Sequence, residues 1–489
     1  MRQLVNNSMR LTLISAVQKA ISLLGGVLIG KYLGASDYGV FSIVRTIVET
    51  MTSVVRGGFD LVTTKNIANF GLSKVEKLHI IRRGMSQLIV GAIIVCILVL
   101  AILPFKSSMN GLNTPHLLFV VIFASISVPF MMMGQFSTAV GAGLLKPVTP
   151  ALIDGVIQPL CRLIIFFTLL SLIAPIIAIS IATTLSFFIG GIGGYMWLSR
   201  KEIEPIFRLL GLEDFSLGSL YDKQAIALSI NFLISNLLQR VDLIISGFFF
   251  SSIFVGSYSM ALVVFSTLSV FIAPQNRILA PTLSAHWKLG ELGPMAKLLN
   301  EQIRHISCII VPASIAISLS IPLLYKLLSG DYQIQWQVLL LLSLNFSIQG
   351  CLNFTGFALS MTGGEGIERR VLLFGVVFVC VLGACGAYLF GPVGMAFGIL
   401  MGNIAGAVWR TLEASKRVES NLGWEFPFKL NIILSPIGCI GAYLVFFGKP
   451  NINLLLLIPV LYLVTSYTFI WYFVLSADER VSVSRRIPF

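Results

Sequence analysis

Apolar segments long enough to cross a bilayer recur from one end of this chain to the other, with little charge inside them. Of 489 residues, 56% are hydrophobic and only 11% are charged, whereas a soluble domain carries about 25% charge to solvate its surface. Such a chain folds in lipid. Lipid offers nothing to a free N–H or C=O, so each spanning segment must satisfy its own backbone as a helix. About fourteen candidate spans follow, each near the ~20 residues that cover a hydrocarbon core. They run over 11–33, 38–62, 84–104, 115–140, 150–172, 174–198, 223–247, 252–275, 303–328, 333–361, 370–390, 392–411, 431–448 and 452–475. The turns from Leu172 to Pro175 and from Phe390 to Pro392 are expected to be tight. Proline suits them because, in a helix's first turn, the donor it lacks would be orphaned anyway. The first segment is span-length and has no small-residue cleavage site, so a cleavable signal peptide is not expected.

Basic residues test this map. Loops on the N-terminal side hold 25 lysines and arginines, the opposite loops hold four, and five fall within spans. Positive charge is retained on the cytoplasmic side, so both termini are expected in the cytoplasm. The same bias accounts for most of the net charge of +13, and nucleic acid is not needed to explain it. Seven cysteines form no CxxC pair, the four histidines are scattered, and no phosphate-binding G-x-x-x-x-G-K-[ST] occurs. No metal site, catalytic residue or ATPase motor is therefore expected.

The chain also nearly repeats itself after 217 residues. Gly30 and Gly39 recur as Gly247 and Gly256, and Pro175 recurs as Pro392. Six spans per unit is an even number, so both copies share one orientation and are related by an axis along the membrane normal. The expected organisation is a six-helix bundle over 1–220, a second over 221–412, and two further helices with a cytoplasmic tail over 413–489. Most deep charges are not repeated. Lys19, Arg45, Glu49 and Arg56 map to Asn236, Leu262, Ser266 and Ala273, while Arg240 and Asp242 map back to Leu23 and Gly25.

Those charges carry the functional reading, because one at mid-bilayer costs about 2.5–3.5 kcal/mol. Arg45, Glu49, Arg56 and Asp60 fall on one stripe of span two, about 60° wide at 100° per residue. Arg45–Glu49 and Arg56–Asp60 are i,i+4 neighbours that can pair. They serve either as structural ion pairs or as the lining of a cationic cavity; for Arg56 and Asp60 a solvated helix end fits equally. Lys19 has no acidic neighbour on its own helix, and Asp154, Gln158 and Arg162 form a one-sided stripe on span five. Arg240 and Asp242 point some 200° apart on a regular helix, so each needs a partner on another span or a ligand. Asn345, Gln349 and Asn353 are expected to bond between helices. Cations outnumber acids among these groups, which suits an anionic head group such as a phosphate or pyrophosphate. Lys19, Arg45, Arg56, Arg162 and Arg240 are the candidate substrate ligands. Glu49, Asp242 and Asp154 are the candidates for ion coupling, with H+ or Na+ as the ion.

Three stretches carry a family resemblance. The segment Leu24–Ile43, LGGVLIGKYLGASDYGVFSI, resembles the first hairpin of Wzx-type flippases. Val54 to Ala68, with Gly58 and Lys65, resembles the end of their second span, and Asp242 through Gly247 to Tyr258 resembles the repeated counterpart. Leu243 stands where that family often has a basic residue. These proteins are the polysaccharide transporters of the multidrug/oligosaccharidyl-lipid/polysaccharide (MOP) exporter superfamily. The resemblance implies a MATE-like pair of bundles in a bacterial inner membrane. It also implies that undecaprenyl-pyrophosphate-linked repeat units, as of O-antigen, pass from the cytoplasmic to the periplasmic leaflet by ion-coupled alternating access. Membrane lipids, a polysaccharide polymerase and a chain-length regulator are the expected partners, and a monomer is the expected state. Two rivals stay open: a drug/cation antiporter on the same scaffold, and a non-transporting scaffold for polysaccharide assembly enzymes.

Overall fold

The computed structural model describes residues 2–67, 74–101, 103, 109–112, 115–144, 146–201, 230, 233–328, 331–447 and 452–475. Among them every regular element is helical. Ten helices are long and apolar enough to cross a membrane, which makes this a multi-pass membrane protein. The chain divides into two compact units, Met1–Val263 and Val264–Phe489. The repeat boundary expected at 220 lies outside the described residues, as do residues 223–229, 231 and 232 of the span expected over 223–247.

In the first unit, α1 runs over Arg2–Ile67 but leaves helical geometry at Gly34, with φ 73° and ψ 171°. That left-handed φ is open to glycine at no steric cost, so one helical run contains the two spans expected over 11–33 and 38–62. There follow α2 (Lys74–Leu100), α3 (Leu117–Gly143), α4 (Val148–Leu152), α5 (Gln158–Leu169) and α6 (Pro175–Lys201). A π-turn over Ile153–Ile157 joins α4 to α5. Proline opens α6, as the tight turn after Leu172 requires. A short helical stretch over 233–238 ends in a turn at Gln239 and Arg240, and α7 (Val241–Phe249) begins after it. Span seven is thus a broken helix. The next helix, α8 (Ser252–Phe265), straddles the unit boundary.

The 217-residue repeat becomes a physical contact in this unit. A Cβ on Gly39 would strike the backbone of Ser252 and Gly256, and one on Gly256 would strike the backbone of Ala35. Three residues further on, the Ser259 hydroxyl lies 3.1 Å from that of Ser42. Gly39 and Gly256, like Ser42 and Ser259, stand 217 residues apart in the chain and meet directly. Gly256→Ala is expected to cost about 1–3 kcal/mol, the range for overpacking a close-packed site. A fall in thermal stability of the purified protein would show it; an unchanged melting curve would mean that the helices part freely here.

The second unit starts with a 3-10 turn over Ser266–Leu268 and α9 (Ser269–Leu289), which closes on Gly290 in the left-handed region. Then come α10 (Leu292–Leu328), α11 (Trp336–Met361) and α12 (Glu365–Val418). The last is broken at Gly391, φ 65° and ψ −148°, immediately before Pro392, at the tight turn the sequence calls for. Two helices close the unit: α13 (Glu425–Phe447), and α14 (Ile452–Phe469) with its π-turned end over Ile470–Val474. Buried polar side chains join the helices: Asn403 on α12 donates to Asn345 on α11 at 2.9 Å, and Ser347 on α11 donates to Asn431 on α13 at 3.0 Å. Gln349 donates to the same Asn345 oxygen at 3.1 Å from one turn along α11, a bond within the helix rather than the expected one between helices. Asn403→Ala is expected to lower stability by about 0.6–1.7 kcal/mol, the scale of hydrogen bonds between membrane helices, read by thermal unfolding in detergent.

Candidate anion-binding site

Four of the charged residues singled out in the sequence come together inside the first unit. Arg45 and Glu49 stand one turn apart on α1, and Arg45 Nε donates to Glu49 Oε1 at 2.7 Å. The second carboxylate oxygen, Oε2, takes Arg240 Nη1 at 2.5 Å. Glu49 therefore carries one arginine from its own helix and one from the other repeat. Arg240 reaches it from the turn before α7, where its backbone has left the helical region at φ −131° and ψ −5°. The break frees Arg240 from the helical register that holds Asp242.

Arg162, on α5, lies within electrostatic reach of Arg45, Glu49 and Tyr38. It is only 6% exposed, and its Nε has no hydrogen-bond partner among the described residues. Two guanidiniums thus pair with a single carboxylate and a third lies within electrostatic reach of it, so cations outnumber the carboxylate in this cluster. Burial of an unpaired cation is costly, and a planar guanidinium presents donors that match a phosphate oxygen pair. The cluster is an anion cradle partly occupied by the protein's own Glu49.

Asp242 forms no ion pair with these arginines among the described residues, although Arg240 lies within electrostatic reach of it. Its Oδ1 accepts the Leu243 N–H at 2.7 Å and its Oδ2 accepts the Tyr258 hydroxyl at 3.2 Å, so its hydrogen-bond partners are neutral. The sequence reading that Arg240 and Asp242 cannot simply pair agrees with this geometry. Asp154 sits in the π-turn, with Gly134 packed beside its carboxylate. Gln158, one turn on, instead donates to Ser186 at 2.8 Å. The extra residue in a π-turn rotates what precedes it, so the stripe Asp154–Gln158–Arg162 is divided. Lys19 is half-buried and makes no hydrogen bond or ion pair among the described residues. The side chain of Arg56, though on α1, lies outside the described residues, and so does Asn231.

Two features were missed in the sequence. Tyr258 was read only as part of the repeat, yet it is buried and completes the Asp242 pair. A pocket also opens beside Arg45 and Glu49, walled by α1, α3 and α6. Ser180, Thr183 and Thr184 supply its hydroxyl side together with Ser127. Three of those hydroxyls at i, i+3 and i+4 in an apolar span share one helix face, a signal that was available.

A broken membrane helix whose turn delivers a cation to a half-buried carboxylate is a feature shared with transporter binding sites. Comparison with known proteins places it. The family model of the polysaccharide biosynthesis proteins matches residues 4–287, more than half of the chain, and the chain belongs to that family. Among solved structures it is similar to the lipid II flippase MurJ in an inward closed conformation, with a TM-score of 0.69 at 15% identity, over 94% of this chain and 98% of that one. It is also similar to the Vibrio cholerae MATE transporter VcmN in its bent form, with a TM-score of 0.56 at 14% identity over 87% and 100%. A third is a MOP superfamily transporter from Pyrococcus furiosus, with a TM-score of 0.58 at 15% identity over 84% and 95%. At such identities the likeness is one of fold: the chain has a MurJ/MATE-like fold. No curated protein sequence matches it.

Proposed function

We propose that the protein is a flippase that moves polyprenyl-pyrophosphate-linked oligosaccharides, as of O-antigen or a similar surface polysaccharide, from the cytoplasmic to the periplasmic leaflet of a bacterial inner membrane. One observation carries the proposal: within a membrane-embedded bundle two arginines pair with one carboxylate, and a third within electrostatic reach, the buried Arg162, has an unsatisfied Nε. The lipid's pyrophosphate supplies the charge that this cradle lacks. Membership of a polysaccharide biosynthesis family supports the sugar cargo, and the fold supports alternating access.

Glu49 sets the resting state. With no substrate present it holds Arg240 and Arg45; an arriving pyrophosphate competes for both guanidiniums and releases the link between the two repeats. Differential contacts of this kind are what let a ligand shift a conformational equilibrium. Proton or sodium coupling at Glu49 or Asp242 belongs to the same proposal, as do Lys19 and Arg56 as further cavity cations.

The test is genetic. In a strain lacking the gene, the wild-type copy should restore surface polysaccharide, while Arg45→Ala and Arg240→Ala should not, at equal protein levels. Lipid-linked units should then accumulate in the inner leaflet. Normal polysaccharide in both variants would sink the cationic site. Drug or dye resistance without any polysaccharide change would turn the assignment towards an antiporter.

A further inference from the structure

Resting on the lipid-pyrophosphate reading above, we infer that Tyr258 is a positioning residue for that site: its hydroxyl holds Asp242 and so keeps Arg240 available to Glu49 and to the substrate's phosphates. Arg240 has two carboxylates to choose from. It pairs with Glu49 at 2.5 Å, yet Asp242, two residues along the chain, is also within its electrostatic reach. An arginine pinned by Asp242 would be lost to the cradle. Asp242 is bonded instead by neutral donors, the Leu243 N–H at 2.7 Å and the Tyr258 hydroxyl at 3.2 Å. It is buried, and a buried acceptor left without its partner is costly. Removing the hydroxyl therefore leaves Oδ2 to recruit another donor, and a guanidinium makes the stronger, charge-assisted bond.

Packing holds the hydroxyl in place. Tyr258 is fully buried, and its ring stacks on that of Phe254 with centroids 5.9 Å apart. Two residues earlier, Gly256 sets α8 directly against the backbone of Ala35 on α1. The two repeats also differ here in a matched way. One repeat earlier, Arg240, Asp242 and Tyr258 correspond to Leu23, Gly25 and Phe41. The first repeat thus has no arginine to aim, no acid beside it and no hydroxyl to hold that acid, although the aromatic ring is kept. The hydroxyl stands only in the repeat that carries the pair it controls.

The test uses the purified full chain in detergent, with farnesyl pyrophosphate as the probe. Tyr258→Phe keeps the ring and removes the hydroxyl. It should bind the probe about tenfold more weakly than wild type, the loss of one charge-assisted hydrogen bond. Adding Asp242→Asn should restore most of that affinity, because a neutral amide has no charge with which to hold the guanidinium. In an Arg240→Ala background, Tyr258→Phe should weaken binding no further. A Tyr258→Phe protein that binds like wild type would overturn the inference and leave the pyrophosphate site standing. So would a Tyr258→Phe, Asp242→Asn protein that binds more weakly than Tyr258→Phe alone, the result expected of a purely structural pair. Failure of the wild type to bind the probe would overturn the pyrophosphate reading and this inference with it.

Discussion

Arg162→Met should make the protein more stable and abolish its function. The guanidinium is 6% exposed and its Nε bonds to nothing among the described residues, while another arginine stands nearby. Replacing buried charged groups by apolar side chains of similar volume is often neutral or stabilising by about 1–4 kcal/mol. The gain should appear as a rise of a few degrees in the melting temperature of the detergent-solubilised protein. Surface polysaccharide, measured in a strain lacking the wild-type gene, should be lost at normal protein level. Both halves are needed. A residue that costs stability and carries function is what a binding cation looks like, whereas a fall in melting temperature would mark Arg162 as a structural partner.

Glu49→Ala should do the reverse to stability. It removes the carboxylate that Arg45 and Arg240 share, with Arg162 within electrostatic reach. Removing one member of a fully desolvated ion pair costs about 3–5 kcal/mol. Here the side chains of Arg45 and Arg240 are 45% and 35% exposed, so solvent screening brings the expected loss to about 2 kcal/mol. Thermal unfolding reads it. Combining Arg45→Leu with Glu49→Ser, the residues found one repeat later at Leu262 and Ser266, should recover part of the stability and none of the transport. An unchanged melting temperature in Glu49→Ala would mean that the two ion pairs contribute nothing to the fold.

Much of the fold was legible because lipid enforces it. Spans follow from apolar length, and the breaks at Gly34 and Gly391 fall at turns where glycine, with proline after Gly391, interrupts the hydrophobic pattern. The repeat was legible in glycines because only a glycine lets backbone meet backbone. Gly39 and Gly256 touch for the same reason that both were retained. The Arg45–Glu49 pair could be read from one-turn spacing alone.

Pairings across helices were harder. Nothing near Gln239 and Arg240 resembles a helix breaker: there is no glycine or proline there. Treating span seven as one regular helix separates Arg240 from Asp242 correctly but cannot aim either. Their partners, Glu49 and Tyr258, lie 191 and 16 residues away, a matter of tertiary packing that no local period encodes. The π-turn at Ile153–Ile157 is equally silent, and it divides a stripe that looked continuous. Hydroxyls on an apolar helix most often bond back to their own carbonyls, so the pocket becomes visible only once α1, α3 and α6 pack together.

The central claim is that the arginine cradle moves a lipid pyrophosphate across the membrane. It is tested most directly in proteoliposomes containing a fluorescent polyprenyl-pyrophosphate oligosaccharide, quenched from outside by a reagent that cannot cross the bilayer. Wild-type protein should carry quenching past the fraction initially in the outer leaflet, and Arg240→Ala, incorporated equally, should stop at that fraction. Equal, complete quenching by both proteins would contradict the account.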